Sequence, residues 1–256
     1  MELNKQGRHG DLQLIGNKTL IARGLMFYIS SSVMCILIAL LDTAPDFPII
    51  FIHLREEDPS RPTSQFGLQS PNLVCAVDLR AGGTAAAFNP LTRRFAFINN
   101  LHEPVLQGEV VSRGIVALKA LETTVTAVSL AQNLRVNPFQ LVTGNVDENA
   151  CDLLLHGDAE TSVDRVTGFF VLDNERGGGA RSRQITELVK SSDFKIFKLL
   201  EILESVLLMP SPDRKTCAKS QTVLTVDAAG SVCMQHREIF LASETPTYSE
   251  WSSFST

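Results

Sequence analysis

Apolar positions in this chain recur with two different periods, and the switches between them divide it into elements. From residue 35 to residue 99, short apolar runs are punctuated by Pro45, Pro48, Pro59, Pro62, Pro71, Gly82-Gly83 and Pro90. Turn residues at that density predict strands rather than long helices. The runs are "CILIALL" at 35–41, "PIIFIHL" at 48–54, "LVCAVDL" at 73–79, "TAAAF" at 84–88 and "RFAFIN" at 94–99. "FAFIN" alternates bulky and smaller apolar residues, and "NPLT" is turn chemistry, so 84–99 reads as a hairpin.

Two segments carry the helical period instead. Residues 113–134 place apolar side chains at helical spacing until Val136, Asn137 and Pro138 intervene. Residues 185–208 are denser in apolar residues and stop before Met209-Pro210, where the proline ring removes a backbone donor. Between them lie further strand runs at 139–146, 151–157 and 166–173, with "VDEN" as a hairpin connection between the first two. "NERGGGARSRQ", 174–184, has no period and three consecutive glycines, and reads as a flexible surface connection. A closing hairpin turns at "DAAG", where Gly230 suits a positive φ, and residues 245–256 supply an edge strand or a frayed end. Strands, a helix, strands, a helix and a final hairpin describe a layered α+β fold rather than an alternating βαβ one.

The N-terminal region has no single reading. An uncharged, largely apolar run from Gly24 to Leu41 comes after Lys5, Arg8, Lys18 and Arg23. Its length suits a membrane anchor, a signal peptide or a core strand, although Ser30–Ser32 interrupt it.

Composition narrows the function classes. With 44% hydrophobic and 20% charged residues the chain is an ordinary globular one, and its net charge of −5 opposes a nucleic-acid footprint. Five scattered cysteines, with no C-x-x-C and no paired histidines, predict reduced thiols and no metal site. His53, His102, His156 and His236 are isolated; each reads as structural or, at most, as an axial ligand to haem.

Several motifs are collinear with one family. Met34-Cys35 before an apolar strand resembles the "MC" that opens the transport and Golgi organisation protein 2 family, also called the NRDE family. "LREEDPSRP", 54–62, is similar to its N-R-D-E-x-x-x-R-P, with Leu54 and Glu56 as departures. "AGGTAAAF" resembles A-G-G-T-W-L-G with the Trp lost, and "RFAFINN" resembles R-x-A-x-L-T-N, ending at Asn100. "SRG", 112–114, matches intact; "VNPFQLVTGN" resembles Y-N-G-F-N-L-x-x-x-D, retaining Asn137 and Phe139. "KSQTVLTVDAAGSV" resembles the family's closing motif, with Lys219 for its Arg. The family's G-L-S-N-A-x-L-x-T-P-W stretch has no counterpart around 167–179.

The resemblance implies a four-layer αββα sandwich like that of N-terminal nucleophile hydrolases, spanning 34–256 after an extension of residues 1–33. It implies a non-catalytic cytoplasmic factor of the secretory pathway that supports Golgi organisation and protein secretion. Golgi or mitochondrial association would be peripheral. No cofactor is required, and a small apolar ligand, haem or an acyl lipid such as acyl-CoA, would be cargo. It also implies a competing enzyme, a cysteine amidohydrolase. There Cys35 would be the nucleophile if exposed as a first residue, because an α-amine titrates near neutrality and can accept the thiol proton. Arg55 and Glu56 would orient it, and Asn100 or Asn137 would donate to the oxyanion.

Overall fold

The computed structural model describes residues 35–256 apart from 45, 71, 123–125, 158–159, 193–194, 206–215 and 242–245. The extension 1–33, and most of the ambiguous apolar run, lie outside the described residues. Directly after Cys35 comes a strand, β1 (Ile36–Leu41), buried at every position. Leu37, Ala39 and Leu41 enter one core while Ile36, Ile38 and Leu40 enter another. A strand covered on both faces has no need for alternating polar residues, so hydropathy alone cannot distinguish it from a membrane segment. Among the described residues, no helix is long and apolar enough to cross a membrane.

The chain continues through β2 (Ile49–Glu57), β3 (Gly67–Ser70), β4 (Leu73–Cys75), β5 (Ala86–Asn89) and β6 (Arg94–Asn100). Helices α1 (Arg113–Glu122) and α2 (Ala127–Asn133) precede β7 (Phe139–Asn145), β8 (Cys151–His156), β9 (Thr161–Val166) and β10 (Phe169–Leu172). Helices α3 (Ala180–Lys190) and α4 (Ile196–Ser205) lead to β11 (Cys217–Val226), β12 (Val232–Phe240), β13 (Thr247–Tyr248) and β14 (Ser252–Ser255).

All strand pairs are antiparallel. One sheet runs β10-β1-β2-β11-β12-β13, with β14 also on β12; the other is a meander from β3 to β9 in chain order. Three apolar clusters fix the layers. One joins the facing sides of the two sheets, a second joins β1, β2 and β11 to α3 and α4, and a third joins β5 to β8 to α1 and α2. The described elements thus stack as helices, sheet, sheet, helices: an α+β sandwich with the expected four layers.

The facing sides meet through aromatic rings. Phe51 of one sheet packs on Phe95 and Phe97 of the other, with centroids 4.6 and 5.1 Å apart. The spacing-two pattern read in "FAFIN" is visible here: Phe95 and Phe97 face the other sheet, and Ala96 and Ile98 face the helices.

His53 lies next to this aromatic layer and donates from Nε2 to Asn99 Oδ1 at 2.9 Å. Burial pulls its pKa from 6.5 down to about 4, against the opposing pull of the Asn99 hydrogen bond. Between those values the unfolded chain carries the proton and the folded one does not, so acidification weakens the fold by on the order of 3 kcal/mol. Urea midpoints should fall from pH 6.5 to pH 4 more steeply in the native protein than in His53→Gln.

Two expectations are corrected by the structure. The helical pattern of 113–134 is two helices, because Thr126 Oγ1 accepts from Ser129 N and starts α2 afresh. The pattern of 185–208 is likewise α3 and α4, and its end beyond 205 lies outside the described residues. The second correction concerns 174–184, which is not a loose surface connection. Asn174, Arg181 and Ser182 are buried, and α3 begins at Ala180.

Candidate functional site

Strand alternation at the end of β2 divides three consecutive charges between two sides of the sheet. Leu54 and Glu56 share the side of Ile50 and Ile52, which faces α3 and α4; Arg55 and Glu57 share the side of His53. Cys35, just before β1, is held by the backbone of β2. Its Sγ accepts from Glu56 N at 3.4 Å and donates toward Glu56 O at 3.7 Å. The thiol is buried, and burial is the main reason its pKa rises from 9.0 to about 11; Glu56 and Glu57 add to the rise, while the Glu56 backbone hydrogen bond and Arg55 oppose it.

The other side carries a charge network. Arg55 donates to Thr63 Oγ1 at 2.9 Å and pairs with Glu57 at 3.4 Å and Asp78 at 3.6 Å. Arg61 pairs with the same Asp78 and reaches Glu57 at 3.8 Å. Lys219 of β11 ties the connecting loop down by donating to the carbonyls of Pro59 and Arg61. Two guanidiniums and two carboxylates so arranged balance in charge.

The opposite wall is a backbone crossing that only glycine permits. A Cβ on Gly83 would lie 2.7 Å from the Gly114 carbonyl carbon, and one on Gly114 would lie 2.5 Å from Thr84 N. This contact seats the first turn of α1 beside Cys35 and brings in Ser112 and Arg113. A cleft of about 610 Å3 results, lined by Cys35, Arg55, Glu56, Asn100, Arg113 and Asn137 among others.

All five candidate residues therefore line one cavity, although they come from four separate stretches of chain. Their contacts differ. Asn137 Oδ1 accepts from Leu106 N at 2.8 Å, which leaves its NH2 as the donor that can serve a ligand. Asn100 contributes its carbonyl oxygen as acceptor to Asn174 Nδ2.

The Glu56 carboxylate is claimed by Arg181, whose Nη2 donates to Glu56 Oε1 at 2.8 Å with both side chains wholly buried. Arg181 is placed by an unusual cap. The buried Asp173 carboxylate accepts from Gly179 N at 2.9 Å and Ser182 N at 3.0 Å, fixing the start of α3 from six residues upstream. The sequence alone assigns no role to Arg181 or Arg113. The intact "SRG" is a pointer to Arg113; nothing local points to Arg181.

As the site stands, it combines a neutral thiol, an internally paired carboxylate, a carboxamide donor and several guanidiniums. Among the described residues no three His, Cys, Asp or Glu side chains are grouped to hold a metal, and no histidine lines the cleft.

A family model described as Transport and Golgi organisation 2 matches residues 34–178, more than half of the chain. The chain belongs to that family. No curated protein matches it. Membership of the Transport and Golgi organisation 2 family gives the chain a role associated with transport and Golgi organisation in general. It also gives the motifs physical content. The "AGGT" and "SRG" segments are the two sides of the glycine crossing, and Ala85, standing where the family's Trp was expected, lines the cleft. Lys219 and the rest of β11 lie beyond the matched residues, yet β11 pairs with β2 along its whole length.

Proposed function

We propose that this chain is a non-catalytic cytoplasmic factor that supports Golgi organisation and protein secretion by holding a small ligand in the Cys35 cleft. The cargo classes are haem and acyl lipids such as acyl-CoA. Any contact with Golgi or mitochondrial membranes would be peripheral. The state of Cys35 carries the reading. Its nitrogen is an amide, since Met34 precedes it, so no α-amine is present to take the thiol proton. With a pKa near 11 instead of 9.0, the thiolate fraction at neutral pH is about a hundredfold below that of an ordinary cysteine. Alkylation of Cys35 by iodoacetamide at pH 7 should be correspondingly slow, and should reach the rate of a free thiol only in denaturant.

A second reading, a cysteine amidohydrolase, is supported by the convergence of Cys35, Arg55, Glu56, Asn100 and Asn137 on one cleft. It requires Cys35 to become a first residue. Complementation separates the two. In cells lacking the protein, Cys35→Ser should restore secretion of a reporter to the wild-type level. A folded Cys35→Ser protein that restores nothing, together with a mature N-terminus at Cys35 by mass spectrometry, would instead establish the hydrolase.

A further inference from the structure

Among the described residues, charges in and under the cleft cancel pairwise except at two arginines. Glu56 is matched by Arg181, and Glu57 and Asp78 by Arg55 and Arg61. Arg113 is the half-buried one of the two. Burial lowers its pKa, with Arg61 adding to the fall and Glu57 opposing it. Among the described residues it makes no ion pair; Nη1 donates to the Pro138 carbonyl at 3.2 Å, which fixes the plane of the fork. At the mouth, exposed Arg80 also lacks an ion pair among the described residues.

A guanidinium withdrawn from water without a counter-ion is unfavourable in isolation. The chain as a whole carries −5, so a cavity with a surplus positive charge runs against its average. The same cleft is lined by Asn137, whose Oδ1 is already engaged, by Ser112, and by apolar residues that include Ile98 and Val111. A fork, a carboxamide donor and a hydroxyl around one apolar-walled space are the recognition chemistry of an acid.

We infer that Arg113, assisted by Asn137 and by Arg80 at the mouth, is the receptor for a carboxylate or phosphate group on the ligand. This rests on the ligand-holding reading above. The anionic end sits against the start of α1 and the uncharged remainder lies along the apolar wall. Cys35 is a neighbour of the bound group and takes no part in chemistry.

The test compares hexanoate, hexyl phosphate and hexanol as probes, by calorimetric titration of the full chain. At least one of the two acids should bind roughly ten- to a hundredfold more tightly than hexanol, and whichever acid leads identifies the group as carboxylate or phosphate. That preference should shrink in 1 M NaCl. Arg113→Gln should abolish it while leaving hexanol binding unchanged, and Arg113→Lys should retain part of it. Equal binding of all three probes, or a preference that survives in folded Arg113→Gln, overturns the receptor and leaves ligand holding intact. Binding of none of the three overturns the ligand-holding reading itself. If Arg113→Gln fails to fold, the salt dependence in the native chain decides: a preference unchanged by salt overturns the assignment.

Discussion

Arg181→Ala should lower the unfolding free energy by about 3–5 kcal/mol, the usual consequence of deleting one member of a buried ion pair. The cause is less the lost attraction than the charge left behind. Glu56, 5% exposed, would keep that charge in a largely buried position. Arg181 also ties α3 to the end of β2, across 125 residues of sequence and alongside the apolar contacts of Ile185 and Val189. Urea unfolding measures the loss as a lower midpoint at unchanged slope. The double variant Arg181→Met, Glu56→Leu should recover most of it, because no uncompensated charge is then buried. Since the Glu56 backbone is what holds the Cys35 sulfur, Arg181→Ala should also speed iodoacetamide labelling of Cys35, whereas the double variant should not. Equal stability of Arg181→Ala and the native chain would show that the ion pair does not hold α3 to β2.

Gly114→Ala should cost about 3 kcal/mol or more, beyond the usual range for one added methyl in a packed core. The added carbon would meet Thr84 N at 2.5 Å and Thr84 O at 2.7 Å. Those are backbone atoms of the opposite wall and cannot swing aside as a side chain can, so α1 must retreat and the cleft must widen. Gly230→Ala is the contrast. Its φ of +82° penalises a side chain by about 1–2 kcal/mol, but no atom lies within 4 Å of the new carbon. Thermal denaturation should rank Gly114→Ala well below Gly230→Ala, and only the former should alter ligand binding in the cleft.

Local patterns were enough for a layered α+β fold, whereas the four-layer sandwich came from the family resemblance, and particular residues show why. The uninterrupted run 36–41 and the alternation of Phe95, Ala96 and Phe97 are local patterns, and local patterns report which faces are covered. The break before α2 was visible only in its cap, Thr126, inside an otherwise continuous helical period. The start of α3 was hidden more deeply. Three glycines precede it, its capping carboxylate is six residues away, and Arg181 in "ARSRQ" looks like a solvated residue until Glu56 is brought to it. The gathering of Cys35, Arg55, Glu56, Asn100 and Asn137 came from family motifs and not from any spacing within the chain. No periodicity connects residues that meet only through tertiary structure.

The two sheets differ in how far apart in sequence their neighbouring strands lie. The meander from β3 to β9 pairs each strand with the next, with α1 and α2 between β6 and β7, so it can assemble in chain order as the chain emerges during synthesis. In the other sheet β2 receives β11 on one edge only after about 160 further residues have been made, as the Lys219 contact to Pro59 illustrates. Until then β2 shows an open, apolar edge beside a half-built cleft. The nascent chain must shield that edge for the length of its own translation, which makes this strand the place where co-translational assistance, or failure by aggregation, would act.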